Sequence, residues 1–466
     1  MDRNRFYELN REQIEKDFKF NLEKKSLIHS QGKEFKLLPY AANEKTLVSN
    51  FEGVVGAFSR IISDKELKNT FNCDEFIENV VDEIGEFEGV ASKDAFRDIV
   101  KTMFIDKDNL VDFDIKTLNY IYSTKSEEKI AKFLYSIFFN NEIKQLVKNR
   151  YDRDVNNILY KLVLRALPEL SDKEYVDEKY KCYLPYIREV FSEDLKFLIS
   201  NEELYKSSIK RFLEYYYMFY VSQLALKLNN FEKADLTKPD KVYYTLSFES
   251  TSKNRTAYKL GWEMLKSHIG DLFSHAITLE FLNHHNLNEQ LGYKELFEVF
   301  NNGNEEIIAK QLEELCQDYI ELRQEGIVWS DFYVREQVSG NEAFDKVYKL
   351  FSAVRFQFTG KTSTRTRAND AYNNWFIKFV QENFGKRRGS LGYTLNLTEE
   401  DIIFLTKICI KYNKKLKLNI LFKEFERRGI FFDRDSQMKI IQLYEKLNIL
   451  EKKSDSGDAQ YVRSIL

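Results

Sequence analysis

TEEDIIFLTKICIKYNKKLKLNILFKEFERRGIFFDRDSQMKIIQLYEKL, running from Thr398 to Leu447, reads as three helices with their turns. Thr398 stands before Glu399, Glu400 and Asp401, so an N-cap oxygen and first-turn carboxylates can satisfy the free amides of a helix start. Ile402, Leu405, Ile408 and Cys409 then recur at three- and four-residue spacing and form one buried stripe. A second helix, Asn419 to Arg428, carries Leu421, Phe422 and Phe425 inward and stops at Gly429, where a left-handed C-cap needs no β-carbon. A third helix starts near Asp433 or Asp435 and presents Met438, Ile441, Tyr444, Glu445 and Leu447, with Lys439 and Gln442 facing outward. Two short strands, Ile449 to Lys452 and Gln460 to Val462, flank the polar run Ser454 to Asp458, which suits a hairpin turn. The expected module is a winged helix-turn-helix over 389–466, with its third helix in the recognition position.

Working outward, GSLGYTLNLTEED from Gly389, FERRGIFFDRDS at Phe425 to Ser436 and the terminal EKKSDSGDAQYVRSIL resemble the DptG family, components of the DNA phosphorothioation-dependent restriction system. FKLLPYAAN (Phe35 to Asn43) and FEGVVGAFSRII (Phe51 to Ile62) are similar more weakly. The resemblance implies a non-catalytic, cytoplasmic partner of an ATPase and a helicase-like protein, which together restrict DNA lacking the modification.

Composition bounds the rest. With 466 residues the chain has room for two or three domains, and 28 Tyr and 38 Phe supply a large aromatic core. Only 4 Pro and 17 Gly leave little scope for a loop-rich β-sandwich or a disordered linker, so a mainly α protein is expected. Cys73, Cys182, Cys316 and Cys409 lie far apart without a CxxC pair, which points to reduced core residues. The start, MDRNRFYELN, has no apolar signal-peptide core, and the longest uncharged apolar run, Tyr215 to Leu226, is too short for a membrane span. A cytoplasmic location with no membrane contact is expected.

The net charge of −3 hides a division. From Arg355 onward, 22 Lys and Arg face 13 Asp and Glu, whereas the preceding residues are acidic. The basic third is the candidate for nucleic acid; solvated faces of Lys-rich helices are the plainer alternative.

Along the chain the expected segments are an N-terminal arm (1–50) with a short strand or extended arm at Glu34 to Leu38, an acidic helical domain (51–230), a helical middle domain (231–388) and the winged helix. Thr124 and Glu127 form a capping box for a helix burying Ile130, Phe133, Leu134, Ile137 and Phe138. The tyrosines of Ser208 to Leu228 sit among Phe212, Leu213, Met218 and Phe219, which favours core over a base-stacking platform. Val242, Tyr244, Leu246 and Phe248 alternate with polar neighbours after Pro239, so a strand is expected over Lys241 to Glu249.

Candidate chemistry is sparse. Gly360-Lys361-Thr362 ends like a phosphate-binding loop, but Arg355 stands where a Walker A sequence needs its first Gly, so ATP turnover is not expected there. Arg355, Lys361, Arg365 and Arg367 still suit phosphate oxygens or an acidic partner, and Lys386, Arg387 and Arg388 add a second cluster beyond one helix. The third helix contributes Arg434 and Lys439 against Asp433, Asp435 and Glu445, which is weak for base readout and compatible with protein docking. His268, His275, His284 and His285 are close in sequence but show no ligand spacing of a known metal site, and no cofactor motif is present. The expected function is a non-catalytic adaptor of the restriction complex; the alternative is a stand-alone winged-helix DNA-binding regulator.

Overall fold

The computed structural model describes the chain except residues 1–5, 43–46, 69–70, 324–325, 335–337, 360–364, 453–459 and 466. It is mainly helical, and the strands are five residues long at most. Among the described residues no helix is long and apolar enough to cross a membrane.

The helix Glu202–Asn229 runs through the middle of the molecule. Asn201 caps it by accepting from the Leu204 amide; its first turns keep Glu203 and Ser207 exposed, but from Phe212 to Leu228 every residue is buried, so that part has no solvent stripe. Tyr205, Phe212, Tyr216, Tyr217 and Tyr220 are all buried. Their hydroxyls are answered inside the protein: Tyr216 donates to Asp194 (2.5 Å) and Tyr215 to the Arg428 carbonyl (2.6 Å). These tyrosines belong to the core. Packed against the helix are Glu52–Ser63, Pro185–Ser200, Trp262–Ile269, Leu272–Asn283 and Thr366–Asn383. The capping box of Thr124 and Glu127 is present at the start of Lys125–Phe138, and Phe138 stacks on Phe191 at 4.3 Å.

One apolar cluster extends from Tyr7 to Val462 and takes residues from all four expected segments. A smaller one, built on Phe76, Val80, Val100, Phe104 and Val163, lies between the helices Cys73–Ile84, Val90–Phe104 and Ile158–Arg165.

Two expectations narrow. Of the short strand or extended arm expected at Glu34 to Leu38, no strand forms, because the amides of Gly32, Lys33, Glu34 and Phe35 all donate to the buried carboxylate of Glu280, at 3.0 to 3.1 Å. The segment wraps a side chain instead of pairing with another backbone. The strand expected over Lys241 to Glu249 shrinks to Thr245–Leu246. Its alternation is real, with Val242, Tyr244 and Leu246 buried, but its partner is short: Thr245 and Leu246 pair in parallel with Asn396 and Leu397. The strand Tyr393–Leu397 also pairs antiparallel with Gly385–Arg387, which makes a three-stranded junction sheet.

Beyond it stand the helices Glu399–Ile410, Leu418–Arg427 and Arg434–Lys446. Thr398 and Asp401 complete a reciprocal cap, and Asp433 caps the third helix by accepting from the Ser436 amide. Gly429 has φ +73°, and Ile430 reaches back to the Phe425 carbonyl at 3.0 Å, so this helix ends in a left-handed turn. The strands Leu450–Lys452 and Gln460–Arg463 pair antiparallel, and a third strand, Lys415–Lys417, which the sequence did not suggest, pairs with Gln460–Arg463 from the other side. The hairpin turn expected at Ser454 to Asp458 lies outside the described residues. Met438 and Leu447 point outward, while Ile440 and Leu443 fill the inner face with Tyr444.

Candidate interaction surface of the C-terminal module

Charged pairs hold the inner side of this module to the helical body. Arg428 and Asp194 are both fully buried; the guanidinium donates twice to the carboxylate, at 2.8 and 2.6 Å. Lys411 approaches the same carboxylate at 3.0 Å. Arg211 joins Asp401 (2.6 Å) to Glu214 (3.0 Å) and lies over the Phe384 ring. Arg255 grips Asp433 (2.5 Å), Glu249 (3.2 Å) and the Ser436 hydroxyl (2.7 Å), fixing the start of the third helix. Glu193, half-exposed, is held down to about 2 chiefly by its hydrogen bonds from Arg427. Such pairs lose hydration on burial, so each partner depends on the other being present.

The cations singled out in the sequence have different fates. Arg355 binds Asp271 at 2.6 Å. Lys361, with the whole Gly360–Thr362 string, lies outside the described residues. Arg365 is half-buried, and Arg367 is exposed in the first turn of Thr366–Asn383. Lys386 donates to the Ser247 carbonyl (2.6 Å), and Arg387 is exposed. Arg388 turns inward and clamps the junction sheet, donating to the carbonyls of Glu249 (2.6 Å) and Leu246 (2.8 Å). Arg367 lies in the first turn of an 18-residue helix, about 27 Å long at 1.5 Å per residue, whereas Arg387 ends the strand Gly385–Arg387 that follows it.

What the fold does gather is an outward row on the third helix. Arg434, Met438, Lys439 and Gln442 are exposed there at three- and four-residue spacing, and Lys439 donates to Gln442 at 3.1 Å. Lys423 on the second helix, Lys417 at the end of the strand Lys415–Lys417 and Lys414 just before that strand are exposed as well. Arg434, Lys414, Lys417 and Lys423 have no acidic partner among the described residues. The sequence signal for Lys414 and Lys417 was the lysine density of KYNKKLK, which was counted in the net charge but not assigned to a site.

The histidines do not converge. His275 is buried beside Tyr293 (2.9 Å) and stacks on Phe351, while His268 bonds the Met264 carbonyl at 2.8 Å. Burial pulls His285 down to about 4. His284 instead meets Asp17 at 3.2 Å, and with Glu34 these residues place three potential ligand atoms within 4.8 Å of one another. Asp17 there already accepts from Lys33 (2.5 Å) and Gln13 (2.7 Å), and its pKa is pulled down chiefly by Lys33. A cation would have to displace that ammonium. No protein-family model matches the chain, and no curated protein is significantly similar to it.

Proposed function

We propose that the chain is a non-catalytic adaptor of a DNA phosphorothioation-dependent restriction complex, acting in the cytoplasm with ATPase and helicase-like partners. In this reading the module over 389–466 is a winged helix. The observation that carries the docking role is that the third helix turns Arg434, Met438 and Lys439 outward, while Lys417 and Lys423 of the same module are exposed as well. The same module's inner charges are consumed by the body, which favours a fixed adaptor over a stand-alone DNA-binding regulator. Duplex DNA is the proposed polyanion on this surface, contacted through phosphates more than base edges, because Asp435 and Glu445 dilute the third helix. Exposed Arg367 and Arg387 extend the set of candidate contacts.

The test is binding of a duplex oligonucleotide by the full chain across a salt series. Each neutralised phosphate contributes about −0.9 to the log-log slope, so Lys417→Glu, Lys423→Glu and Arg434→Glu together should weaken binding and flatten the slope by two to three such steps. If affinity and slope do not change while co-purification with the ATPase or helicase-like protein is lost, the surface docks protein and the DNA contact is wrong.

A further inference from the structure

Beneath the 31–41 segment lies a cavity of about 550 Å³, within the range of small-molecule sites. Phe35, Leu38, Tyr180 and Tyr372 supply apolar wall, and Lys36, Lys125, Lys129 and Lys132 supply charge. Lys125, Lys129 and Lys132 are spaced i, i+4 and i+7 on the helix Lys125–Phe138, so their ammoniums share one face. Glu128 and Glu178 are the lining carboxylates. Glu178 bridges Lys132 at 3.1 Å and Lys36 at 3.7 Å, yet the lining keeps an excess of positive charge. A concave wall focuses such a field on anions.

The tyrosines point to the same ligand chemistry. Tyr372 is 1% exposed, and its hydroxyl has no hydrogen-bond partner among the described residues; neither does that of Tyr180. Burial pushes both phenols well above their ordinary pKa, so they remain neutral donors. Tyr40 beside them shows the contrast, since its hydroxyl is engaged with Tyr217 at 2.5 Å. Neither hydroxyl oxygen is sealed from solvent, so both phenols are donors open to a ligand in the cavity they line. Its wall is also preformed, because the four amides on Glu280 fix residues 32–35, which lowers the ordering cost of binding.

We propose that this cavity binds an organic phosphate of nucleotide size, its phosphates on the lysine row and its body against Phe35, Tyr180 and Tyr372. Titration calorimetry of the full chain with ADP, inorganic pyrophosphate and adenosine tests it. ADP should bind with a Kd below about 1 mM, and either fragment alone about tenfold or more weakly. Lys125→Glu with Lys129→Glu should weaken ADP by more than about tenfold, and Tyr372→Phe, which keeps the ring, by about three- to tenfold. Absence of ADP binding overturns the proposal, as does ADP binding that both variants leave intact. Pyrophosphate binding as tightly as ADP would overturn the role of the apolar wall. Should Tyr372→Phe unfold, the lysine pair, on a solvent-facing helix surface, decides alone.

Discussion

Arg428 and Arg434 stand six residues apart, on either side of the Gly429 turn, and have opposite fates. Arg428 is fully buried against Asp194 and Glu424; Arg434 is exposed with no acidic partner among the described residues. One turn of chain thus separates a seam from a surface. The difference teaches that net charge along a sequence says little about binding, because the same residue type can be consumed by the fold or left to a partner. Removing each side chain should show which is which. Arg428→Ala leaves Asp194 buried with only Lys411 and Tyr216 for compensation, so it should lower stability by about 3 to 5 kcal/mol in urea unfolding of the full chain. Adding Asp194→Ala should recover part of that loss, as expected when the penalty lies in an unpaired charge. A cost below about 1 kcal/mol for Arg428→Ala would erase the distinction.

The turn itself sharpens the contrast. A β-carbon on Gly429 would fall 2.6 Å from Phe219 Cδ2 of the central helix, and φ is +73°. Gly429→Val should therefore cost about 2 to 4 kcal/mol, combining left-handed strain with a clash against a buried ring. Gly340 has φ +89° but open space around it, so Gly340→Ala should cost only about 1 kcal/mol. Equal losses would mean that the seam is not tightly packed at Phe219.

These two regions also show what the sequence could reveal. Caps are local: Thr398 with Asp401, Thr124 with Glu127 and the Gly429 turn are each specified within a few residues and were legible. The core of the central helix was legible because from Phe212 to Leu228 aromatic and apolar residues leave no solvent face. Partners distant in sequence were not. Thr245 pairs with Asn396 and Arg255 with Asp433, contacts that no local pattern announces. Hence the strand over Lys241 to Glu249 was expected too long, and Arg388 was grouped with phosphate-binding candidates although it clamps backbone carbonyls. Lys415–Lys417 escaped notice since a three-residue, lysine-rich strand has no periodicity to read. The cavity under 31–41 was equally hidden, because its walls come from five separate parts of the chain.

A carboxylate without an ion-pair partner among the described residues gives the converse of Asp194, since the nearby Lys206 donates to the Phe113 carbonyl instead and offsets its shift only in part. Burial first, and the charge of Glu52 second, push Asp112 up to about 6 from an ordinary value near 3.8. An acid whose pKa is raised by folding destabilises the folded state above its folded value, and that penalty disappears as pH falls toward the unfolded value. Asp112→Asn should therefore stabilise the protein by roughly 1 kcal/mol at pH 7.5, with the gain fading between pH 6 and 4. A pH-independent effect would assign the change to packing instead of charge.

The smallest expected effect on stability is also the one on which the surface assignment rests. Lys417, Lys423 and Arg434 are exposed with no acidic partner among the described residues, so each alanine variant should stay within about 0.5 kcal/mol of the parent. Chemical unfolding measures this directly, and it must be done before any binding result is interpreted. A loss above about 1 kcal/mol at one of these positions would mean that the fold uses that cation, as it uses Arg428 and Arg388. If stability is unchanged but duplex binding or partner co-purification falls, the affected function lies in the outward face and not in a loosened seam. Arg434→Ala is the most informative single change, since it is the first residue of the third helix, directly after the Asp433 anchor. Stability would then report the anchor, and binding would report the surface.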